Sequence, residues 1–426
     1  MASVSLAPSF ILAHLLLTQC PASTMIYTPV PVERIEMGRP LPVNVWDAKG
    51  NLLLRKGQAI VSEHHREHLA AHGACATHAD YKAWVQSYDR LVYAMLREGK
   101  SIQEIAKATM PAEILELDYT VGEDITGGWV DVQTVLTQLL YAGVAAKNPL
   151  GRLEGVQKRA MELLDKDPNE SLFSLFQALG DKTLGYCATH ALLCAVICEL
   201  SARKLGLDDF VRPVLVQAAL TMNLSMAKLQ DTLAVQRTPP DAEQKQQIDQ
   251  HASASAEMLR GFGLVNTDLL DIVGLHHDRD ASKGLARNLE CRRILHLVDV
   301  YVAKTAARST RPGLSPMQAA KSSIVGALRE DAPVAAAITT VLGFYPPGTY
   351  VQLANGEKAV SVQRGTAANT PLVVSTVTAQ GLPLGMYVAR DTREKAYAIQ
   401  APVAAGDFKI NHERVHKAAG KLLATS

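Results

Sequence analysis

The stretch from Leu184 to Ser315 contains potential metal ligands on or beside a series of helix-like segments. The ligands in question are His190, His251, His276, His277 and Asp299. Imidazole and carboxylate groups bind divalent metals, and side chains from facing helices can converge on one ion inside a bundle. Any one histidine is more often an ordinary core or surface residue. The set as a whole predicts a helical domain built around a metal centre.

Apolar periodicity and end signals divide this region into helices. Gly206 is a natural end for the first of them, and Pro316 lies at the start of the last. The predicted helices are Leu184–Leu205, Val211–Leu229, Asp241–Gly261, Thr267–His277, Leu289–Ala307 and Ser315–Arg329.

The flanking sequence predicts smaller modules. Residues 25–85 alternate short extended pieces with turns and one helix, which predicts a small N-terminal α/β module. Residues 86–180 are a helical connector, and residues 181–343 form the helical domain. Residues 344–426 contain short strands separated by Gly, Asn and Pro and end in a helix, which predicts a C-terminal β unit. The fold class is therefore mainly α.

Residues 1–24 include an apolar run without a preceding Lys or Arg, which a signal peptide would carry. Met25 begins a segment typical of a protein start. We interpret residues 1–24 as a leader or as the product of a mis-assigned start codon, and we favour the second interpretation. A mature chain beginning at or just before Cys20 would contradict it.

Composition restricts the partners. The chain has 426 residues, 48% hydrophobic residues and a formal net charge of +1, so no charge imbalance indicates nucleic acid or an anionic membrane.

Cys194 and Cys198 share one face of an apolar helix with His190. That pattern fits either a thiol–histidine metal site or simple packing of small buried residues, and we favour packing.

Several motifs, taken in order, resemble the HD-GYP family of HD-superfamily phosphohydrolases, which cleave cyclic di-GMP. HALLCAVICELSARKLGL resembles the opening helix, IDQHASASAEML the third segment, and HHDR the family's HHER. RILHLVDVYVAKTAARSTRPGLSP resembles its long helix with the RPYR motif, and YPPGTYVQLANGEKAVSV the β tail that often follows. The resemblance covers roughly residues 184–365 and implies an HD-type helical domain.

The same resemblance implies roles for individual residues. His190 and Asp299 would belong to a first metal, and His251, His276 and His277 to a second. The arginines Arg279, Arg308 and Arg311 would contact the substrate phosphates.

The departures from the family pattern bear on activity. Met222 and Asn223 occupy the positions of the His–Asp pair, whose Asp bridges two metals in the family. Asn223 offers one neutral oxygen, which cannot offset the repulsion between two dications. Met226 replaces the family's lysine, and of the GYP segment only Gly284 remains. Hydrolysis by the two-metal mechanism is therefore not expected.

Three hypotheses follow. The first is a degenerate HD-GYP-like signalling protein that binds a cyclic dinucleotide, another nucleotide or a protein partner without hydrolysis. The alternative is a metal-dependent cyclic di-GMP phosphodiesterase with a reduced metal centre, which would hold one Zn, Mn or Fe ion. The third is a scaffold without metal, whose histidines satisfy buried hydrogen bonds. The resemblance further implies a bacterial, cytoplasmic homodimer, with Val130–Ala146 as the candidate dimer contact.

Overall fold

The computed structural model describes residues 27–47, 51–98, 100–114, 125, 127–146, 148–181, 185–278, 280, 282–325, 329–404 and 410–423. The chain divides into two compact units, one up to Thr120 and one from Val121 onward. Residues 1–24, interpreted above as a leader or a mis-assigned start, lie outside the described residues.

The first unit is a small antiparallel sheet with helices. Its strands pair in the order β1-β4-β2-β3. The elements are β1 (Tyr27–Pro29), β2 (Val45–Trp46), β3 (Leu52–Leu54), α1 (Glu63–Ala71), β4 (Cys75–Thr77), α2 (His78–Arg97) and α3 (Ile102–Ala106). Ser62 caps α1 by accepting a hydrogen bond from the His65 amide. His65 therefore lies in the first turn of this helix.

Helix α2 runs without interruption across residue 85, where the sequence analysis places a domain boundary. The physical reason is Trp84, which is buried in the core of the first unit and donates a hydrogen bond from Nε1 to the Pro111 carbonyl at 2.7 Å. The residues of the predicted connector are accordingly divided between the two units.

The second unit is a helical bundle followed by a five-stranded sheet. Its helices are α4 (Trp129–Ala142), α5 (Pro149–Lys166), α6 (Pro168–Gly180), α7 (Tyr186–Leu205), α8 (Arg212–Thr221), α9 (Ala227–Val235), α10 (Ala242–Gly261), α11 (Thr267–Gly274), α12 (Leu289–Thr305), α13 (Pro316–Val325) and α14 (Ala332–Leu342).

Helix α7 is the centre of this bundle and packs against α4, α6, α8, α12 and α14. It is buried on all sides, because its sequence is rich in Ala, Leu and Cys and has no continuous polar face. Gly206 ends it with φ +76°, a left-handed conformation that glycine adopts without strain. The predicted end at Gly206 is confirmed.

The sheet of the second unit is antiparallel, with the order β8-β7-β6-β5-β9. Its elements are β5 (Tyr350–Leu353), β6 (Lys358–Gln363), β7 (Leu372–Val377), β8 (Pro383–Asp391), β9 (Ile399–Val403) and the closing helix α15 (His412–Leu423). The predicted fold class is confirmed: the protein is mainly α, with a helical domain, a small N-terminal α/β module and a small C-terminal β unit.

Two helix predictions need correction. Val211–Leu229 is not one helix, because α8 ends at Thr221 and a short 3-10 turn over Leu224–Met226 precedes α9. The break occurs because the Ser225 amide donates to Ser255 Oγ on α10, at 3.1 Å, instead of continuing the helix. Helix α11 ends at Gly274, so His276 and His277 lie just beyond it.

The apolar face of helix α4 packs into the core of its own unit. Val132, Leu136 and Leu139 are buried in the core, while Val130 is 57% exposed. The dimer contact predicted for this segment stays a prediction. No helix in the described part of the chain is both long and apolar enough to cross a bilayer.

Candidate metal centre

Three histidines predicted to bind metal converge in the second unit. His251 comes from the middle of α10, and His276 and His277 from the turn after α11. The Nε2 atom of His251 lies 3.2 Å from Nε2 of His276 and 3.2 Å from Nε2 of His277. Their candidate ligand atoms all lie within 4.8 Å of one another.

Backbone carbonyls fix the tautomers of two of these rings. His276 Nδ1 lies 2.7 Å from the Val273 carbonyl oxygen, and His251 Nδ1 contacts the Ile248 carbonyl oxygen. A carbonyl only accepts, so both Nδ1 atoms carry the proton and donate it. Both Nε2 atoms therefore present lone pairs, as in metal-binding histidines held by an outer hydrogen bond.

Two lone pairs 3.2 Å apart repel unless a cation lies between them. A tetrahedral ion with metal–nitrogen bonds of about 2.0–2.1 Å would separate its ligand nitrogens by roughly 3.3 Å. The three nitrogens therefore fit one divalent ion. Such an ion would keep a coordination position open and could polarise a phosphoryl oxygen.

Burial favours the neutral form of His276 and His277. Burial, together with neighbouring His277, lowers the pKa of His276 to about 3. Burial also lowers the pKa of His277, although His277 is the member of the set with an exposed edge. Neutral imidazole is the form that binds metal, so these two rings are in the metal-binding form at neutral pH.

His190 and Asp299 are also close together, but they contact each other through a direct hydrogen bond. His190 is fully buried, and its Nε2 lies 2.8 Å from Asp299 Oδ1. On its other side, His190 Nδ1 lies 3.0 Å from the Tyr186 hydroxyl. The Arg308 guanidinium stands over the Tyr186 ring, 5.8 Å from the ring centroid.

One assignment of protons satisfies all the hydrogen bonds in this series. Tyr186 donates to His190 Nδ1, and His190 donates from Nε2 to the Asp299 carboxylate. Burial raises the pKa of Asp299, but the hydrogen bond from His190 and the neighbouring histidines outweigh it, so the net pKa lies below its usual range. His190 thus needs no metal to satisfy its nitrogens.

A metal bound to His190 Nε2 would disrupt this series of hydrogen bonds. The ring proton would have to sit on Nδ1, and the buried Tyr186 hydroxyl would lose its acceptor, at a cost of about 1–3 kcal/mol. Cys194 Sγ lies 3.5 Å from His190 Nε2 and could complete a three-ligand group. However, burial and the nearby Asp299 raise the pKa of this thiol well above its usual value, which favours packing over coordination.

The residues in the HD positions lie between the end of α8 and the 3-10 turn that follows it. Met222 is fully buried in the apolar core, and Asn223 is 6% exposed. The turn that follows is tied to α10, because Ser225 Oγ donates to the His251 carbonyl at 3.0 Å. Gly284, retained from the GYP segment, has φ +66°, and a Cβ there would lie 2.3 Å from Asp271 Oδ1.

The predicted substrate-contacting arginines have different surroundings. Arg311 donates to carbonyls at the end of α12, including Ala303 at 2.7 Å, so its donors are largely occupied. Arg308 contacts Tyr186. Arg279 lies outside the described residues. Their role in binding phosphate stays a prediction.

His296, which was not among the predicted site residues, lies on α12 one turn before Asp299. Its ring stands edge-on to His277 with centroids 5.8 Å apart. The helical spacing of three residues from Asp299 was the available signal, since residues so spaced share a face.

Comparison with known proteins agrees with the resemblance seen in the motifs. The chain is 23% identical over 241 residues to the 3'3'-cGAMP-specific phosphodiesterase 3 of Vibrio cholerae. The match covers 51% of this chain and 52% of the relative, so the chain spans about half the length of the curated relative it matches. The solved structure of Bd1817, a HDG"Y"P protein from Bdellovibrio bacteriovorus, is 13% identical, with a TM-score of 0.41 over 74% of this chain and 99% of that chain. No family model matches the chain.

Proposed function

We propose that this divergent relative of the HD-GYP family is a cyclic dinucleotide-binding signalling protein that holds one divalent metal and does not hydrolyse its ligand by the two-metal mechanism. The observation that carries the proposal is the contrast between the two candidate sites. His251, His276 and His277 present converging nitrogens, whereas His190 and Asp299 satisfy each other.

One ion bound by the three histidines would attract a phosphate of the nucleotide, and the phosphodiester bond would remain uncleaved. Cleavage in two-metal sites depends on a second ion about 3.5–4 Å away that stabilises the other reacting oxygen. Asn223 supplies no negative charge to hold a second ion next to the first. Binding without turnover is the behaviour expected of this arrangement.

Metal analysis and calorimetry test the proposal directly. We expect the purified protein to contain one divalent ion per chain by mass spectrometry and to bind cyclic di-GMP or 3'3'-cGAMP. His276→Ala should lose the ion and weaken nucleotide binding. His64→Ala is the matched control, because His64 is exposed on α1, outside the second unit. A wild-type chain that binds neither dinucleotide would contradict the proposal.

A phosphodiesterase with a reduced metal centre is the second candidate. The open coordination position on the three-histidine site favours it, because a water bound there could act as a nucleophile. Chromatography of cyclic di-GMP incubated with Mn, Fe or Zn distinguishes the two. Turnover that disappears in His276→Ala would establish the enzyme, and intact dinucleotide with measurable binding supports the non-hydrolytic function.

We further propose that the protein acts in the cytoplasm as a homodimer with a signalling partner. Size-exclusion chromatography with light scattering tests the dimer, and a monomer at micromolar concentration would contradict it.

A further inference from the structure

A cavity of about 440 Å³ lies between the end of α14 and the loop that joins β6 to β7. Its walls include Ala336, Thr340, Phe344, Tyr345 and Arg364. This volume falls within the roughly 300–1,000 Å³ typical of small-molecule sites. We call it the α14 pocket. None of the candidate metal ligands lines it, so it is independent of the metal centre.

The guanidinium of Arg364 is held rigidly at this pocket. Its Nε donates to Asn169 Oδ1 at 2.8 Å, and its Nη1 donates to the Val341 carbonyl at 2.8 Å. Nη2 donates no hydrogen bond to any residue that the structure describes. Arg364 therefore offers a fixed N–H edge to an acceptor in the pocket.

The end of α14 supplies acceptors to the same pocket. The Phe344 amide donates to the Ala368 carbonyl at 2.7 Å and turns the chain away from the helix axis. The carbonyls of Thr340 and Leu342 consequently accept no hydrogen bond within the described chain. Carbonyls at a helix C-terminus point beyond the last turn and carry partial negative charge.

These two features select the chemistry of a ligand. The partial negative charge of the helix end offsets much of the Arg364 charge, so the pocket does not favour a bare anion. A neutral planar ring with acceptors on one edge and donors on another matches it better. Phe344 is half-buried and Tyr345 buried, and such side chains supply flat apolar contact for a ring.

We propose that the α14 pocket binds a guanine base of a nucleotide. Guanine presents two acceptors, O6 and N7, which arginine recognises, and its N1–H and amino group are donors for the helix-end carbonyls. Adenine presents an amino group in place of O6 and fits this donor and acceptor arrangement less well.

Calorimetry with guanosine 5′-monophosphate on metal-stripped protein tests the proposal without any contribution from the metal centre. Ala336→Phe should fill the pocket, since Ala336 is an exposed residue of its wall. We expect binding to wild type, and at least about a tenfold weaker affinity in this variant. Ala332→Phe is the matched control, because Ala332 is exposed on the same helix and does not line the pocket. Thr366→Trp fills the pocket from the loop and should repeat the effect if Ala336→Phe folds poorly.

Three results would overturn the proposal. The first is absence of guanosine monophosphate binding to wild type. The second is equal affinity in folded Ala336→Phe or Thr366→Trp. The third is equal affinity for adenosine monophosphate, which would remove the specific edge contacts. Binding that persists in His276→Ala supports the α14 pocket and separates it from the metal centre.

Discussion

At the scale of single residues, positions 222 and 223 decide what the second unit can do. Met222 joins the apolar core, and Asn223 lies beside the turn that Ser225 ties to His251. A carboxylate at 223 would carry the negative charge that two neighbouring dications need between them. On the function proposed above, the absence of that charge, and not a loss of the fold, would separate this chain from a two-metal enzyme.

Restoring both residues should restore the second ion. In the double variant Met222→His/Asn223→Asp we expect metal content to rise from one to two ions per chain, measured by mass spectrometry. With the added carboxylate and imidazole as ligands, a second ion would displace the proton on His190 Nε2 and draw both His190 and Asp299 into coordination. Met222→Leu is the control and should keep one ion. A folded double variant that still holds one ion would show that the His190–Asp299 contact excludes metal on its own.

The buried His276 makes the stability of the metal-free protein depend on pH. The unfolded chain protonates this histidine near pH 6.5, whereas the folded chain holds its pKa at about 3. Below about pH 6.5 the unfolded state binds more protons, so the free energy of unfolding falls as pH falls, by about 1.4 kcal/mol per pH unit for such a group. Between about pH 6.5 and 5 the loss is roughly 2 kcal/mol.

Urea unfolding of metal-free protein at these two pH values measures the effect. His276→Gln removes the titrating group, so its stability should fall less over the same interval. An identical fall in the variant and the wild type would assign the pH dependence to other groups.

At the scale of elements, α7 depends on a cap from a distant part of the chain. Gly185 precedes the helix and has no side chain to cap it. Asp231 of α9 takes this role, because its Oδ1 accepts hydrogen bonds from the Tyr186 and Cys187 amides at 2.6 Å each. Tyr141 of α4 donates its hydroxyl to the same carboxylate. One carboxylate thus joins three helices at the end of α7 that carries His190.

Removing this carboxylate should loosen the start of α7. For Asp231→Ala we expect a loss of about 1–3 kcal/mol in the free energy of unfolding, because buried amides lose their acceptor. Asp231→Asn keeps one oxygen and should lose less. Asp249→Ala is the control, since Asp249 is exposed on α10, and it should change stability by less than about 0.5 kcal/mol. Denaturant titration measures all three, and equal losses at the two positions would contradict the capping role.

The difference between these elements shows what the sequence can predict. The end of α7 at Gly206 follows from a local signal, whereas the grouping of His251, His276 and His277 as ligands of one metal follows from the resemblance of the motifs to a known family. The cap from Asp231 and the break after Thr221 depend on side chains that arrive from other helices. Local periodicity carries no information about such contacts, since tertiary partners decide them.

At the scale of the whole molecule, the candidate metal centre and the α14 pocket are built entirely from the second unit. The first unit has a core of its own around Trp84. Its sheet could be predicted because short strands alternate with turns, but the extent of the unit could not, because α2 continues past the last strand.

The second unit should therefore bind metal when produced alone. We expect a chain of residues 121–426 to fold and to hold the same single ion as the full-length protein, with an affinity within about threefold, because every candidate ligand and its hydrogen-bond partner lies in this unit. Circular dichroism and metal titration with a competing chelator measure folding and affinity. The same fragment carrying His251→Ala is the control and should fold without retaining the ion. A well-folded fragment that binds metal more than about tenfold more weakly would mean that residues before 121 stabilise the three-histidine site.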